Sequence, residues 1–238
     1  MDIPAVTVAQ MERLERLASA HFGIEVVQLM EHAGRAVAEL SRELAGVRGR
    51  TFTILVGKGH NGGDALVAGR LLASWGAQVN LILPFHPDDL APLTKSHYGT
   101  ATALHLNRMT GVDALQWPLA LRQAGLIIDG LWGYHLRGQP QGLPADLIRL
   151  ANASGRKILA IDCPSGLDCD SGQPADPCIR AAATITFTLP KQGLVRREAK
   201  PWVGTLWVAD VGVPFQACEL AGIPAPRLFE KKSMIKVS

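Results

Sequence analysis

GKGHNGGDALVAGR, residues 57–70, follows the β-branched run TFTILV (51–56) and leads into ALVAGRLLASWG (65–76), whose apolar positions cover most of a helical circumference. A strand, a glycine-rich loop and a buried helix in that order open a doubly wound α/β unit. Five further short apolar runs extend the pattern: VNLILP (79–84), LIIDGLWG (126–133), ILAIDCPSG (158–166), ATITFTL (183–189) and TLWVADVGV (205–213). Strands apolar on both faces and alternating with helical segments predict a Rossmann-like, mostly parallel sheet with helices on both faces. An N-terminal helical segment precedes it. Thr7 is placed to cap VAQMERLERLASA, and a second helix runs from Ile24 to Leu44, with Gly23 and Gly46 punctuating the ends. Residues 84–117 read as helical with an irregular start, and the polar tail 230–238 as frayed.

Length and composition fit one domain over residues 1–238: 47% of the side chains are hydrophobic, enough for a sizeable core. A net charge of +3 with scattered basic residues gives no footprint for nucleic acid. No apolar run approaches the roughly 18 residues of a membrane span, and the opening residues lack transit-peptide character. Cys163, Cys169, Cys178 and Cys218 show neither a C-x-x-C pair nor zinc-ligand spacing. Reduced thiols in a cytoplasmic protein are therefore expected.

Gly57, Gly59 and Gly62 stand at dinucleotide-fingerprint spacing, which alone is weak evidence. An NAD-binding unit places a carboxylate about 20 residues past its glycines; here Asp88 and Asp89 come too late and after two prolines. An intact-cofactor dehydrogenase is thus disfavoured. The loop's amides and the helix start that follows still suit anionic groups, and Asp64 reads equally as a charge in a site or as a helix cap. Beyond it, Asp129, Asp162 and Asp168 stand at or just past strand ends and Lys191 follows another, so these residues converge on one rim of the sheet. Ser165, in C-P-S-G, does not have the G-x-S-x-G form of a nucleophile elbow. Asn61, Asp129 and Ser165 instead form an oxygen-rich set suited to a monovalent cation.

Four blocks in order resemble the NAD(P)H-hydrate epimerase family, the YjeF N-terminal domain. GKGHNGGDALVAGRLL is similar to its G-x-G-N-N-G-G-D-G-L-V-A-A-R-x-L block, LIIDGLWGYHLRG to D-A-L-F-G-T-G-L, and AIDCPSGLDCDSG to D-I-P-S-G-L-D-x-x-x-G. ATITFTLPKQGL with GTLWVADVGVP resembles its closing segments, and MEHAG its M-E-x-A-G, so that residues from about 7 to 214 are covered. The resemblance implies an enzyme interconverting the C6 epimers of hydrated NADH or NADPH, working as a homodimer alongside a dehydratase. It places substrate contacts on His60, Asn61, Gly62, Gly63, Asp64, on Gly133, Tyr134, His135, Leu136, Arg137, Gly138, Gln139, and on Asp162. It places a potassium ion on Asn61, Asp129 and Ser165. Asp168 is the expected acid/base group, with Lys191 as proton donor or phosphate contact. The chain departs from the pattern at His60 (for Asn), Ala65 (for Gly), Gly130 (for Ala) and Tyr134-His135 (for Thr-Gly). Some members carry the dehydratase on the same chain; a stand-alone epimerase and a piece of a bifunctional protein both fit this sequence. A non-catalytic binding or scaffold module is the alternative, against which the retained acids speak.

Overall fold

The computed structural model describes all residues except 1, 2, 137, 225, 226 and 238. Thr7 caps α1 (Val8–Ala20) through a capping box with Gln10, and α2 (Val26–Ala45) follows. The repeating part then runs β1 (Thr51–Val56), α3 (His60–Ser74), β2 (Gln78–Ile82), α4 (Pro92–Ala103), β3 (Asn107–Met109), α5 (Trp117–Gln123), β4 (Leu126–Gly130), α6 (Gly142–Ala153) and β5 (Ile158–Ile161). It closes with β6 (Ala183–Phe187), α7 (Lys200–Val203), β7 (Thr205–Ala209), α8 (Phe215–Ala221) and β8 (Met234–Lys236).

The eight strands form one sheet in the order β3-β2-β1-β4-β5-β6-β7-β8, parallel throughout except for β8. This is the expected architecture. Strand order reverses between β1 and β4, and open sheets of this kind bind ligands in the crevice beyond the carboxyl ends of strands at such a switch point. Val56 pairs with Gly130 across that point, so the loops leaving β1 and β4 start side by side. On one face α2 and α3 bury Met30, Val37, Leu40, Leu66 and Leu72 against the sheet. On the other, α5 and α6 bury Trp117, Leu121, Leu147 and Ile148. α1 and α8 form a smaller cluster at the carboxyl end, with Met11, Leu14, Leu189 and Cys218.

Two strands lie where none was expected. Asn107–Met109 adds an edge strand within the stretch read as helical, and Met234–Lys236 pairs with β7 inside the tail read as frayed. The tail is anchored because Met234, Ile235 and Val237 each pack against apolar clusters. The four cysteines are buried and unpaired. Burial pushes the Cys178 thiol up to about 12. No helix among the described residues is long and apolar enough to cross a membrane.

Candidate active site

A cavity of about 460 Å³ opens at the switch point. Its walls come from the β1–α3 loop, from residues 131–136 after β4, from Asp162 after β5, from Phe187 and Thr188 at the end of β6, and from α1 and α2. Close backbone packing accounts for Gly57 and Gly62 in the first loop, while an added Cβ at Gly59 would meet open space. A Cβ at Gly57 would stand 1.9 Å from the Leu131 carbonyl oxygen, and one at Gly62 would stand 2.0 Å from the Gly57 carbonyl oxygen. Two of the three fingerprint glycines thus let the loop lie flat against β4 and against itself. A Cβ at Gly130 would fall 2.5 Å from the Ala65 methyl. At the α3–β4 contact Ala65 carries the single methyl and Gly130 makes room for it.

His60, Asn61, Asp64, Gly133, Tyr134, His135, Leu136 and Asp162 all line the cavity. Gly62 and Gly63 do not; Gly62 packs on Gly57, and Gly63 on Met30 and Thr94. Gly138 is exposed at positive φ, and Gln139 lies away from the cavity, its side chain accepting from the Asp176 amide. Arg137 lies outside the described residues. Asp64 is no cap. α3 starts at His60 with Gly59 as its cap, so Asp64 stands a turn inside the helix, buried, at 9% exposure. Burial raises its pKa well above the ordinary carboxylate value, repulsion from Asp162 and Glu15 adds to the rise, and Lys191 offsets part of it. This environment favours the protonated, neutral acid.

Asp162 and Lys191 form a buried ion pair, with 7% and 1% of their side chains exposed and an Nζ–Oδ1 distance of 2.5 Å. Thr186 Oγ1 donates to the same carboxylate oxygen at 3.1 Å and accepts from Lys191 Nζ at 3.0 Å. Lys191 is no rim charge. Burial alone would lower its pKa, but attraction to Asp162 and their hydrogen bond outweigh that and raise it. The second oxygen, Oδ2, accepts from the Tyr134 amide at 3.3 Å. A Cβ at Gly133 would stand 2.8 Å from this oxygen and 3.4 Å from Asn61 Oδ1, so glycine leaves open the space between them. Tyr134 covers the pair, with Lys191 Nζ 5.0 Å from its ring centroid, and its hydroxyl donates to Glu15 Oε2 of α1 at 2.6 Å.

Asp129 is fully buried and does not itself line the cavity. Its carboxylate accepts from Ser165 N (2.8 Å), Ser165 Oγ (2.7 Å) and Leu131 N (3.3 Å), while Ser165 Oγ in turn accepts from the Trp132 amide at 3.0 Å. Burial pushes its pKa up to about 6 against the pull of these bonds. Asp168, the expected acid/base group, is exposed and is not among the cavity-lining residues. Its Oδ1 accepts from Ser171 N and Oγ, both at 2.7 Å, and from Asp170 N at 3.2 Å, so its carboxylate organises the turn that follows. Glu15 and Thr188 line that cavity without having been singled out in the sequence. Burial raises the Glu15 pKa, with the Tyr134 hydrogen bond opposing.

Comparison with known proteins bears on this geometry. The family model described as "YjeF-related protein N-terminus" matches residues 26–193. The chain belongs to this YjeF N-terminal family. One relative, the NAD(P)H-hydrate epimerase of Dehalogenimonas lykanthroporepellens, is 37% identical over 223 residues, 93% of this chain and 87% of that protein. The bifunctional NAD(P)H-hydrate repair enzyme Nnr of Moorella thermoacetica is 40% identical over 88% of this chain, which spans 40% of that relative's length. The crystal structure of the yeast protein ynu0 matches with a TM-score of 0.84 at 20% identity, covering 99% of this chain and all of the yeast one, and so shares the YjeF N-terminal fold.

Proposed function

We propose that this chain epimerises hydrated NADH and NADPH at C6 of the reduced nicotinamide ring, as part of nicotinamide-cofactor repair. The observation that carries the reading is the placing of a neutral-favouring acid, Asp64, and a lysine-paired carboxylate, Asp162, in one cavity at the switch point. Epimerisation at a carbon bearing both nitrogen and hydroxyl can proceed through a planar cation. The ring-nitrogen lone pair forms C=N as the C6–O bond breaks, and the oxygen leaves as water with a proton from Asp64. Water then adds to the other face of C6, and its proton returns to the Asp64 carboxylate. Asp162, its Oδ2 beside the open space at Gly133, places negative charge near the cation. Asn61 Nδ2 is buried without a hydrogen-bond partner among the described residues, as suits a donor waiting for a ligand oxygen.

The same reading includes a potassium ion held near Asp129 and Ser165, with Asn61 adding an oxygen. Asp129 is a wholly buried carboxylate whose hydrogen-bond partners among the described residues are all neutral. One carboxylate with hydroxyl and carbonyl oxygens is a donor set for a hard monovalent cation. When bound, the ion supplies the positive charge that Asp129 otherwise lacks and steadies the loops after β4 and β5. A dehydratase specific for one epimer would consume the product. The test supplies the other epimer of hydrated NADH with that dehydratase and follows recovery of NADH absorbance, in potassium and in a large organic cation. Recovery faster than the spontaneous rate, and potassium-dependent, is expected. No acceleration would overturn the reading in favour of a binding module.

A further inference from the structure

β5 and β6 are neighbours in the sheet, and they end on the same backbone device. At Asp162 φ is +64°, and the amide of Cys163 donates to the Ile161 carbonyl at 2.7 Å. At Thr188 φ is +62°, and the amide of Leu189 donates to the Phe187 carbonyl at 2.7 Å. Each is a three-residue γ-turn in its rarer, positive-φ form. Both central residues line the cavity. The first turn presents Asp162, while the second presents a β-branched side chain, for which positive φ is a genuine outlier. The Thr188 amide donates to the Ala209 carbonyl on β7 at 2.9 Å, which holds the turn in place. Such strain persists where surroundings over-determine it, and it clusters at ligand sites.

The hydroxyl makes the case independently of the backbone. Thr188 is 7% exposed, and its Oγ1 is buried without a hydrogen-bond partner among the described residues. A buried hydroxyl left unpaired is destabilising, and a valine would fill the same shape without that cost. The neighbouring wall is apolar, formed by Phe187, Val211 and Val213. It suits an uncharged group and not a phosphate. Thr186, two residues earlier, bonds both Asp162 and Lys191, so this wall adjoins the buried ion pair.

We propose that Thr188 is a ligand-binding residue whose hydroxyl hydrogen-bonds an uncharged polar substituent of the nicotinamide ring held beside Asp162 and Lys191. The inference rests on the reading of the cavity as a hydrated-nicotinamide site. It requires stability and binding to move in opposite directions. Thr188→Val removes the unpaired hydroxyl, and Thr188→Gly also releases the positive-φ strain, so the urea midpoint of both variants should rise. The KM for hydrated NADH should rise by up to about tenfold, the worth of one neutral hydrogen bond, with the change carried in KM rather than in kcat. Thr188→Ser should recover most of that loss. Calorimetry with nicotinamide mononucleotide as probe should show the same weakening without any turnover. If the wild-type protein fails to epimerise yet binds the mononucleotide through Thr188, the reaction falls and the contact stands. If it epimerises and Thr188→Val leaves KM and mononucleotide affinity within about twofold, the contact falls and the reaction stands.

Discussion

Asp129 and Asp162 end adjacent parallel strands, both are buried, and both accept several hydrogen bonds, yet they are compensated differently. Asp162 has the Lys191 ammonium on one oxygen. Asp129 has a serine and two main-chain amides, with no ion pair among the described residues, and burial lifts its pKa to about 6. A buried carboxylate that carries its own lysine is complete within the chain and can turn its second oxygen to a ligand. One held by neutral donors stays short of a positive charge, and an ion from solution can supply it.

The largest effect is expected from removing the internal cation. Lys191→Met leaves Asp162 buried and unpaired, which should lower stability by about 3–5 kcal/mol and nearly abolish epimerisation, read from urea unfolding and coupled turnover. Asp162→Asn combined with Lys191→Met should recover a good part of the stability but none of the turnover. A double variant as unstable as Lys191→Met alone would show that the pair's charge balance is not what the lysine maintains. Next in size is the external cation. Potassium at 100 times its dissociation constant should stabilise the wild type by about 2.7 kcal/mol, a large organic cation should not, and Asp129→Asn should lose the response. Equal stabilisation of both proteins would remove the distinction between the two carboxylates.

Asp64 extends the comparison to a third compensation, protonation. Its folded pKa lies above the unfolded value, first through burial and then through repulsion from Asp162 and Glu15. The resulting stability is fully present below about pH 4 and is lost as pH rises through the folded value. Asp64→Asn should flatten that decline, by about 1.4 kcal/mol for each pH unit separating the two values, and should suppress turnover at every pH. An unchanged pH–stability profile would mean that Asp64 is not the neutral acid of the site.

The sheet was legible where strands are apolar on both faces, as in TFTILV or LIID, because burial between helix layers leaves that mark on composition. β3 (Asn107–Met109) and β8 (Met234–Lys236) escaped because three-residue edge strands are held by pairing with one neighbour, which leaves little pattern. Asp162 and Lys191 were legible as strand-end residues, though not their pairing, which spans 29 positions. Glu15 looks like a solvated helix acid until α1 packs beside Tyr134, 119 residues away. Thr188 looks like any strand-end threonine, since its strain comes from a turn that only the neighbouring strand holds. Asp168 was drawn toward the site by its place after P-S-G, while D-C-D-S-G was equally the signature of the turn it forms.

Gly133→Ala carries the smallest expected effect on stability and divides the two carboxylates most cleanly. Gly133 is not at positive φ, so alanine meets no backbone penalty. Its methyl would instead press on Asp162 Oδ2, at 2.8 Å, and approach Asn61 Oδ1, at 3.4 Å. A carboxylate end can yield by a few tenths of an ångström, which puts the stability loss at about 1 kcal/mol. In the proposed reaction that oxygen faces the ligand, so kcat/KM should fall by more than the stability change implies. The Asp129–Ser165 contacts are not met by the methyl, and Asn61 Oδ1 is met only at an ordinary contact distance, so the midpoint of potassium activation should move far less than kcat/KM. If turnover and potassium response fall together, the two carboxylates form one unit, and the division of labour between an internal and an external cation fails.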